Sequence, residues 1–332
     1  MATPEGRPVI DRLVLHVGVQ KTASSLIQRS MRQLRPHLRQ AGIAYIGRQQ
    51  THGLEGRTSW AAYGKGDPAI ADAYATGLRE VVSKEMRAVP DLRTVLLSNE
   101  SMIGRVGPEY GDPFWPRAEA GVRQVIDWLE PRSTEIWLYV RRQDRLLESL
   151  YMQAIHRGGT RRWPVFQAQV CSDVRVRYVD LVWLLETLPT VAAVRVRPFE
   201  IIEGGPRRFI RDFLAPLGGR KLVDHLERTR KSNPSYTQPA YAAARVMNRH
   251  MDAPEQVALA RRTLRKIFPQ SKYPRADLMS DEDRAAFLAM HAGENETLFR
   301  KYLADFPESS YTAIEVPDEL TAHLVPQSLV SA

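Results

Sequence analysis

The chain is poor in several features that would classify it at once. Among its 332 residues there is one cysteine, Cys171. A single thiol closes no intrachain disulfide, so the fold is not a stapled scaffold, and no histidine stands near it in sequence to make it a nucleophile. No uninterrupted apolar run reaches membrane-spanning length, and the first residues lack the apolar core of a secretion signal. Together with the lone cysteine, this leads us to expect a cytoplasmic protein without a membrane span. Repeats and low-complexity tracts are missing, which excludes solenoid and fibrous architectures. There is also no compact His/Cys/carboxylate signature for a metal, no zinc finger and no basic tail.

What is present is ordinary globular composition, 43% hydrophobic and 26% charged, in a chain long enough to bury a core without cross-links. Lysine and arginine outnumber the acids 47 to 38, a net charge of +9. That surplus suits an anionic partner: a nucleotide, a sulfated sugar, a nucleic acid or a membrane surface. Arg29, Arg32, Arg35 and Arg39 lie on polar helical faces and read as solvated surface.

The first half alternates short apolar runs with amphipathic segments. Residues 12–18, 93–98, 134–141 and 192–197 read as strands, with a shorter one at 43–46. Helices are expected at 22–40, 118–130 and 143–157. Such alternation predicts an α/β fold, a parallel sheet with helices on both faces. Glycine- and proline-rich stretches at 47–67, 104–117 and 157–165 read as loops, natural walls for a ligand beyond the strand ends. From about residue 230 only helices follow, at 237–251, 254–268 and 281–304, before a loosely packed tail. We divide the chain into an α/β core, residues 1–220, and a helical extension, residues 221–332. The extension's long helices suit packing on the core or on a second subunit as a homodimer.

The most informative segment is His16–Gln28, HVGVQKTASSLIQ. A strand ends at Gly18, a short turn carries Lys21 and Thr22, and Ser24 and Ser25 open a helix. Free N–H groups, the positive end of the helix dipole, a lysine and three hydroxyls converge there into an anion cradle. It is not a Walker A loop, which needs G-x-x-x-x-G-K-[ST], and no G-x-G-x-x-G follows a strand. A second segment, LYVRRQDRLLESLYMQ at 138–153, places Arg141 at a strand end and Ser149 eight residues on. Arg141 brings a guanidinium fork and Ser149 a hydroxyl to a second anion. Two anion sites at neighbouring strand ends suit a nucleotide with two separated phosphate positions.

This pair of segments resembles the sulfotransferase family, in particular its bacterial and carbohydrate-type branch. The family motif K-T-[GA]-[ST]-[ST]-x-[LI]-Q falls on Lys21, Thr22, Ala23, Ser24, Ser25 and Gln28, and the Arg/Ser pair on Arg141 and Ser149. Tyr151, Gln153, VRPFE at 196–200 and NPSYTQPA at 233–240 extend the likeness over roughly residues 12–250. Ala23 departs from the more usual glycine, a change tolerated if its φ is negative. The resemblance implies a P-loop-type sheet and 3′-phosphoadenosine 5′-phosphosulfate as donor cosubstrate. The 5′-phosphosulfate would lie on Lys21, Thr22, Ala23, Ser24 and Ser25, and the 3′-phosphate on Arg141 and Ser149. It implies transfer of the sulfuryl group to an acceptor hydroxyl of a sugar, glycan or small natural product, without a metal.

Glu100, closing the strand 94–100, should stand at the sheet's C-terminal edge, where the branch places its general base. His52, in a glycine-rich loop, is the rival base, since another branch uses histidine. His16 should be a packed neutral ring. His156, Arg157, Arg161 and Arg162 line either an acceptor pocket or a solvated loop, and Arg228 and Lys231 fall in a late basic segment that the family closes over the 3′-phosphate. The competing readings are a P-loop kinase-like phosphotransferase, and a non-catalytic protein that binds nucleotide or nucleic acid.

Overall fold

The computed structural model describes residues 9–51, 53–54, 68–89, 91–100, 102–104, 114–173, 176–227, 235–307 and 311. In chain order the elements begin β1 (Arg12–His16), α1 (Ser24–Gln33), α2 (Arg35–Gln40), β2 (Ile43–Gly47), α3 (Arg48–Thr51) and α4 (Pro68–Arg87). There follow β3 (Thr94–Ser98), α5 (Ala118–Leu129), β4 (Ser133–Val140), α6 (Gln143–His156), α7 (Trp163–Asp173), α8 (Tyr178–Glu186), β5 (Val191–Pro198) and α9 (Pro206–Leu214). The last four helices are α10 (Gln238–Met247), α11 (Pro254–Ile267), α12 (Asp281–Ala289) and α13 (Ala292–Tyr302).

The fold is α/β. The five strands form one parallel sheet in the order β2-β3-β1-β4-β5. β1 to β4 are largely apolar because both faces are covered, while the edge strand β5 is half-exposed and carries Arg195 and Arg197. Leu13 and Leu15 of β1 pack into one cluster, with Leu78 of α4, Val122 of α5 and Leu147 of α6. Val14 points the other way, toward Ile27, Met31 and Leu38 of α1 and α2 and Phe209 and Phe213 of α9. In β4, Ile136, Leu138 and Val140 join the first cluster and Trp137 and Tyr139 the second. This period of two is what a strand between two helical layers requires.

The strand order is what positions a site. β1 lies between β3 and β4, with His16 in register with Ser98 on one side and Trp137 on the other. The chain therefore leaves the ends of β1, β3 and β4 side by side at the carboxyl edge, where open α/β sheets bind ligands.

The helical extension is seated on α6. Asn248 donates from Nδ2 to the carbonyls of Ile155 (2.8 Å) and Gly159 (2.9 Å), and Gln143 Nε2 donates to Asn295 Oδ1 at 2.6 Å. Arg284 of α12 bonds Asp144 and Glu148 of α6. Apolar residues of the extension, Leu264, Phe287 and Leu298 among them, belong to the same continuous cluster as the sheet.

Some expectations change. The helix expected at 22–40 is two, because Pro36 near the start of α2 cannot continue the hydrogen-bond ladder of α1. The segment expected as one helix at 281–304 bends at Met290 and His291 into α12 and α13. Parts of the stretches read as loops are helical, namely α3 and the start of α7. The twenty-residue α4 went unforeseen. Among the described residues, no helix is long and apolar enough to cross a membrane.

Candidate active site

The loop from β1 to α1 turns through three residues in the left-handed region: Gly18 (φ 51°), Lys21 (φ 71°) and Ala23 (φ 62°). Glycine is strongly favoured at position 18. A Cβ there would lie 2.8 Å from Ser24 Oγ, and the backbone conformation is one that side chains disfavour. Ala23 corrects the sequence expectation. Its φ is positive, so the glycine usual in the resembling motif has a physical reason, and alanine bears a cost of about 1 kcal/mol. The helix's own hydrogen bonding begins when Leu26 and Ile27 donate to the Ala23 carbonyl, at 2.8 and 3.1 Å. Among the described residues, the N–H groups of Lys21 to Ser25 donate to no backbone carbonyl. They remain available at the positive end of α1.

The side chains complete this cradle unevenly. Ser24 is buried and, among the described residues, its hydroxyl has no partner. Thr22 is buried too, but its hydroxyl donates to the Val19 carbonyl, which braces the turn. Ser25 is exposed. His16 lies below the loop with Nδ1 2.8 Å from Ser98 Oγ and Nε2 buried without a partner. Burial lowers its pKa to about 3, so the ring is neutral, as expected.

Arg141 enters from the end of β4. It is 8% exposed, yet among the described residues no carboxylate lies within 4.0 Å of it. Its Nη1 donates to the Lys21 carbonyl at 3.1 Å, its guanidinium lies 4.8 Å from the Phe199 ring centre, and its Nε is buried without a partner. Tyr178 donates its hydroxyl to the Arg141 carbonyl and fixes the backbone. Glu200, after β5, accepts from the Arg142 N–H at 3.0 Å and from the Tyr311 hydroxyl at 2.8 Å. Of VRPFE, Val196, Arg197 and Pro198 thus pair with the end of β4, and Phe199 and Glu200 hold the residues just beyond it. Burial, reinforced by Arg275, brings the Arg141 pKa down to about 10, with Glu200 opposing. Desolvated and unneutralised, this guanidinium calls for an anion.

Lys21 sits in the same field. Burial lowers its pKa first, and Arg141, Arg157 and Arg265 lower it further, while Glu100 raises it. Glu100, half-buried just past β3, therefore stands close enough to Lys21 to act on its charge. Sequence placed these two groups 79 residues apart; adjacent parallel strands bring them to one edge. Ser149 is half-buried on α6, on the same stripe as Gln153 and His156 at helical spacings of four and three. His52, Arg228 and Lys231 lie outside the described residues.

The extension supplies cations that sequence reasoning missed. Arg261 and Arg265 of α11 and Arg275 beyond it approach this edge: Arg265 acts on Lys21, Arg261 and Arg265 act on His156, and Arg275 acts on Arg141. The available signal was the spacing of Arg261 and Arg265 around Leu264, an i, i+3, i+4 pattern that an amphipathic helix turns inward.

No family model matches the chain, and no curated protein matches it. A solved structure described as the crystal structure of a sulfotransferase from Alicyclobacillus acidocaldarius is similar at 15% identity, with a TM-score of 0.41, covering 75% of this chain and 99% of that one. A likeness this distant carries no argument, so chemistry must be read from the site.

Proposed function

We propose that the chain is a sulfotransferase that uses 3′-phosphoadenosine 5′-phosphosulfate and an acceptor hydroxyl. The reading rests on one observation. Lys21, the free N–H groups and hydroxyl at the start of α1, and the unpaired Arg141 converge at neighbouring strand ends, with Glu100 beside them. Unpartnered buried donors and like charges are costly in a protein without a ligand, and an anion with two phosphate positions satisfies both groups at once.

The donor, when bound, supplies an activated sulfuryl group on its 5′-phosphate. Lys21 and the amides of Lys21 to Ser25 hold negative charge as it grows on that phosphate. The Ser24 hydroxyl adds a donor, while Thr22 shapes the turn. Arg141, braced by Phe199 and Tyr178, holds the 3′-phosphate with Ser149. Glu100 takes the proton of the acceptor hydroxyl as the oxygen attacks sulfur, and Arg157 faces the acceptor side. Residues 1–220 are the transfer core in this reading, and residues 221–332 an extension that shapes the approach.

The test is calorimetric titration with adenosine 3′,5′-bisphosphate, with ADP and 5′-AMP as controls. Binding that requires the 3′-phosphate and vanishes in the Lys21→Ala/Arg141→Ala double variant is the expected result. Equal binding of ADP would return a phosphotransferase reading to the front. With labelled donor, Glu100→Gln should lower the transfer rate about 10²–10⁴-fold while nucleotide affinity holds.

A further inference from the structure

Beside the groups assigned to the donor lies a second set of cations. On α11 the buried positions are Ala260 and Leu264, and Arg261 and Arg265 flank them. Leu264 is buried and anchors the helix, while both arginines are half-buried, each with its Nε shielded and without a partner. Among the described residues, neither lies within 4.0 Å of a carboxylate; the arginines of the extension that do are Arg284 and Arg300. The end of α6 faces them. His156 packs edge-on against Tyr236 at 4.2 Å between ring centres, and its Nε2 is buried without a partner. Arg157 follows, exposed. Burial first, then Arg265, Lys21 and Arg261, hold His156 neutral with its pKa down to about 3. Lys21 borders both sets, and the carboxylate acting on it is Glu100.

Two guanidinium groups held this way repel each other and their neighbours, and among the described residues no carboxylate stands close enough to pair with either. The donor's phosphates already have Lys21, Arg141 and the start of α1. We propose that Arg261 and Arg265, with His156, form a second anion site that recognises a negatively charged group (carboxylate, sulfate or phosphate) on the acceptor, and that this selects anionic acceptors. The inference rests on the sulfotransferase reading and names the substrate class of that site. Recognition by paired guanidinium forks would also steer such acceptors toward Lys21 and Glu100.

The experiment uses the full chain saturated with adenosine 3′,5′-bisphosphate and titrated with inorganic sulfate at constant ionic strength. Wild type should bind sulfate under these conditions. Arg261→Gln/Arg265→Gln should weaken it about tenfold or more, with nucleotide affinity and thermal midpoint retained, and Arg261→Lys/Arg265→Lys should fall between. Absence of sulfate binding by wild type, or equal binding by the glutamine variant, overturns the proposal. Loss of nucleotide affinity with a retained thermal midpoint overturns it as well, because the arginines then serve the donor. If wild type fails to bind the nucleotide at all, the sulfotransferase reading itself has failed.

Discussion

The two ends of α6 meet the same helical extension with opposite charge arrangements. At the start of the helix, Asp144 is wholly buried and pairs with Arg142 and with Arg284 of α12. Glu148 pairs with Arg145 and Arg284, and Asp277 closes the network. Each cation there has an acid. At the other end, Arg157 and Arg265 act on Lys21, Arg261, Arg265 and Lys21 act on His156, and the acid acting on Lys21 is Glu100. The first end is neutralised within the chain and holds the extension in place. The second is left electrostatically incomplete, which is what a binding site for an anion needs and a scaffold avoids.

The largest effect should come from breaking the neutral end. Arg284→Ala takes the shared, buried partner from Asp144 and Glu148, leaving each with one half-buried arginine, Arg142 or Arg145, and should cost about 3 kcal/mol, read as a fall in denaturation midpoint. At the incomplete end the outcome inverts. Lys21→Ala should slow transfer about 10²–10³-fold while thermal stability holds or rises, since a desolvated like charge is removed. A protein destabilised by Lys21→Ala as much as by Arg284→Ala would erase the distinction.

Glu294 sharpens the comparison from the acidic side. It accepts from the Val179 N–H at 3.0 Å at the start of α8, but burial, despite those backbone bonds, raises its pKa to about 7. The folded state therefore holds a proton more tightly than the unfolded chain. Its contribution to stability is full below the ordinary carboxylate range and is lost as pH rises toward 7, at a slope of up to about 1.4 kcal/mol per pH unit. Glu294→Gln should flatten that part of the stability–pH curve measured by denaturant titration. The smallest effect belongs to the loop. Ala23→Gly should stabilise the turn by about 1 kcal/mol or less, since relief of the left-handed strain is partly offset by glycine's greater unfolded freedom, and nucleotide affinity should not fall.

Much of this was legible in the residue order. β1, β3 and β4 announce themselves because strands covered on both faces are largely apolar, β5 does so through its alternating valines and arginines, and His16–Gln28 shows its turn and helix start through glycine, lysine and serine spacing. The left-handed φ of Ala23 was not legible, since alanine usually argues for the opposite. Nor was the role of Arg261 and Arg265. A pair of arginines four apart looks like a solvated face until the neighbouring helix is known. Arg284 reads the same way, yet its side chain is 6% exposed and bound to three acids.

The sequence alone determined the local elements and the residue types of the cradle, because periodicity, capping and turn chemistry act over a few residues. Strand order was decided only by the tertiary structure, and with it the meeting of Lys21, Glu100 and Arg141. So was the division of the extension's arginines between a paired cluster and an unpaired one. Charge interactions depend on distance and burial in space, and spacing along the chain does not encode either across 79 or 244 residues, the separations of Lys21 from Glu100 and from Arg265.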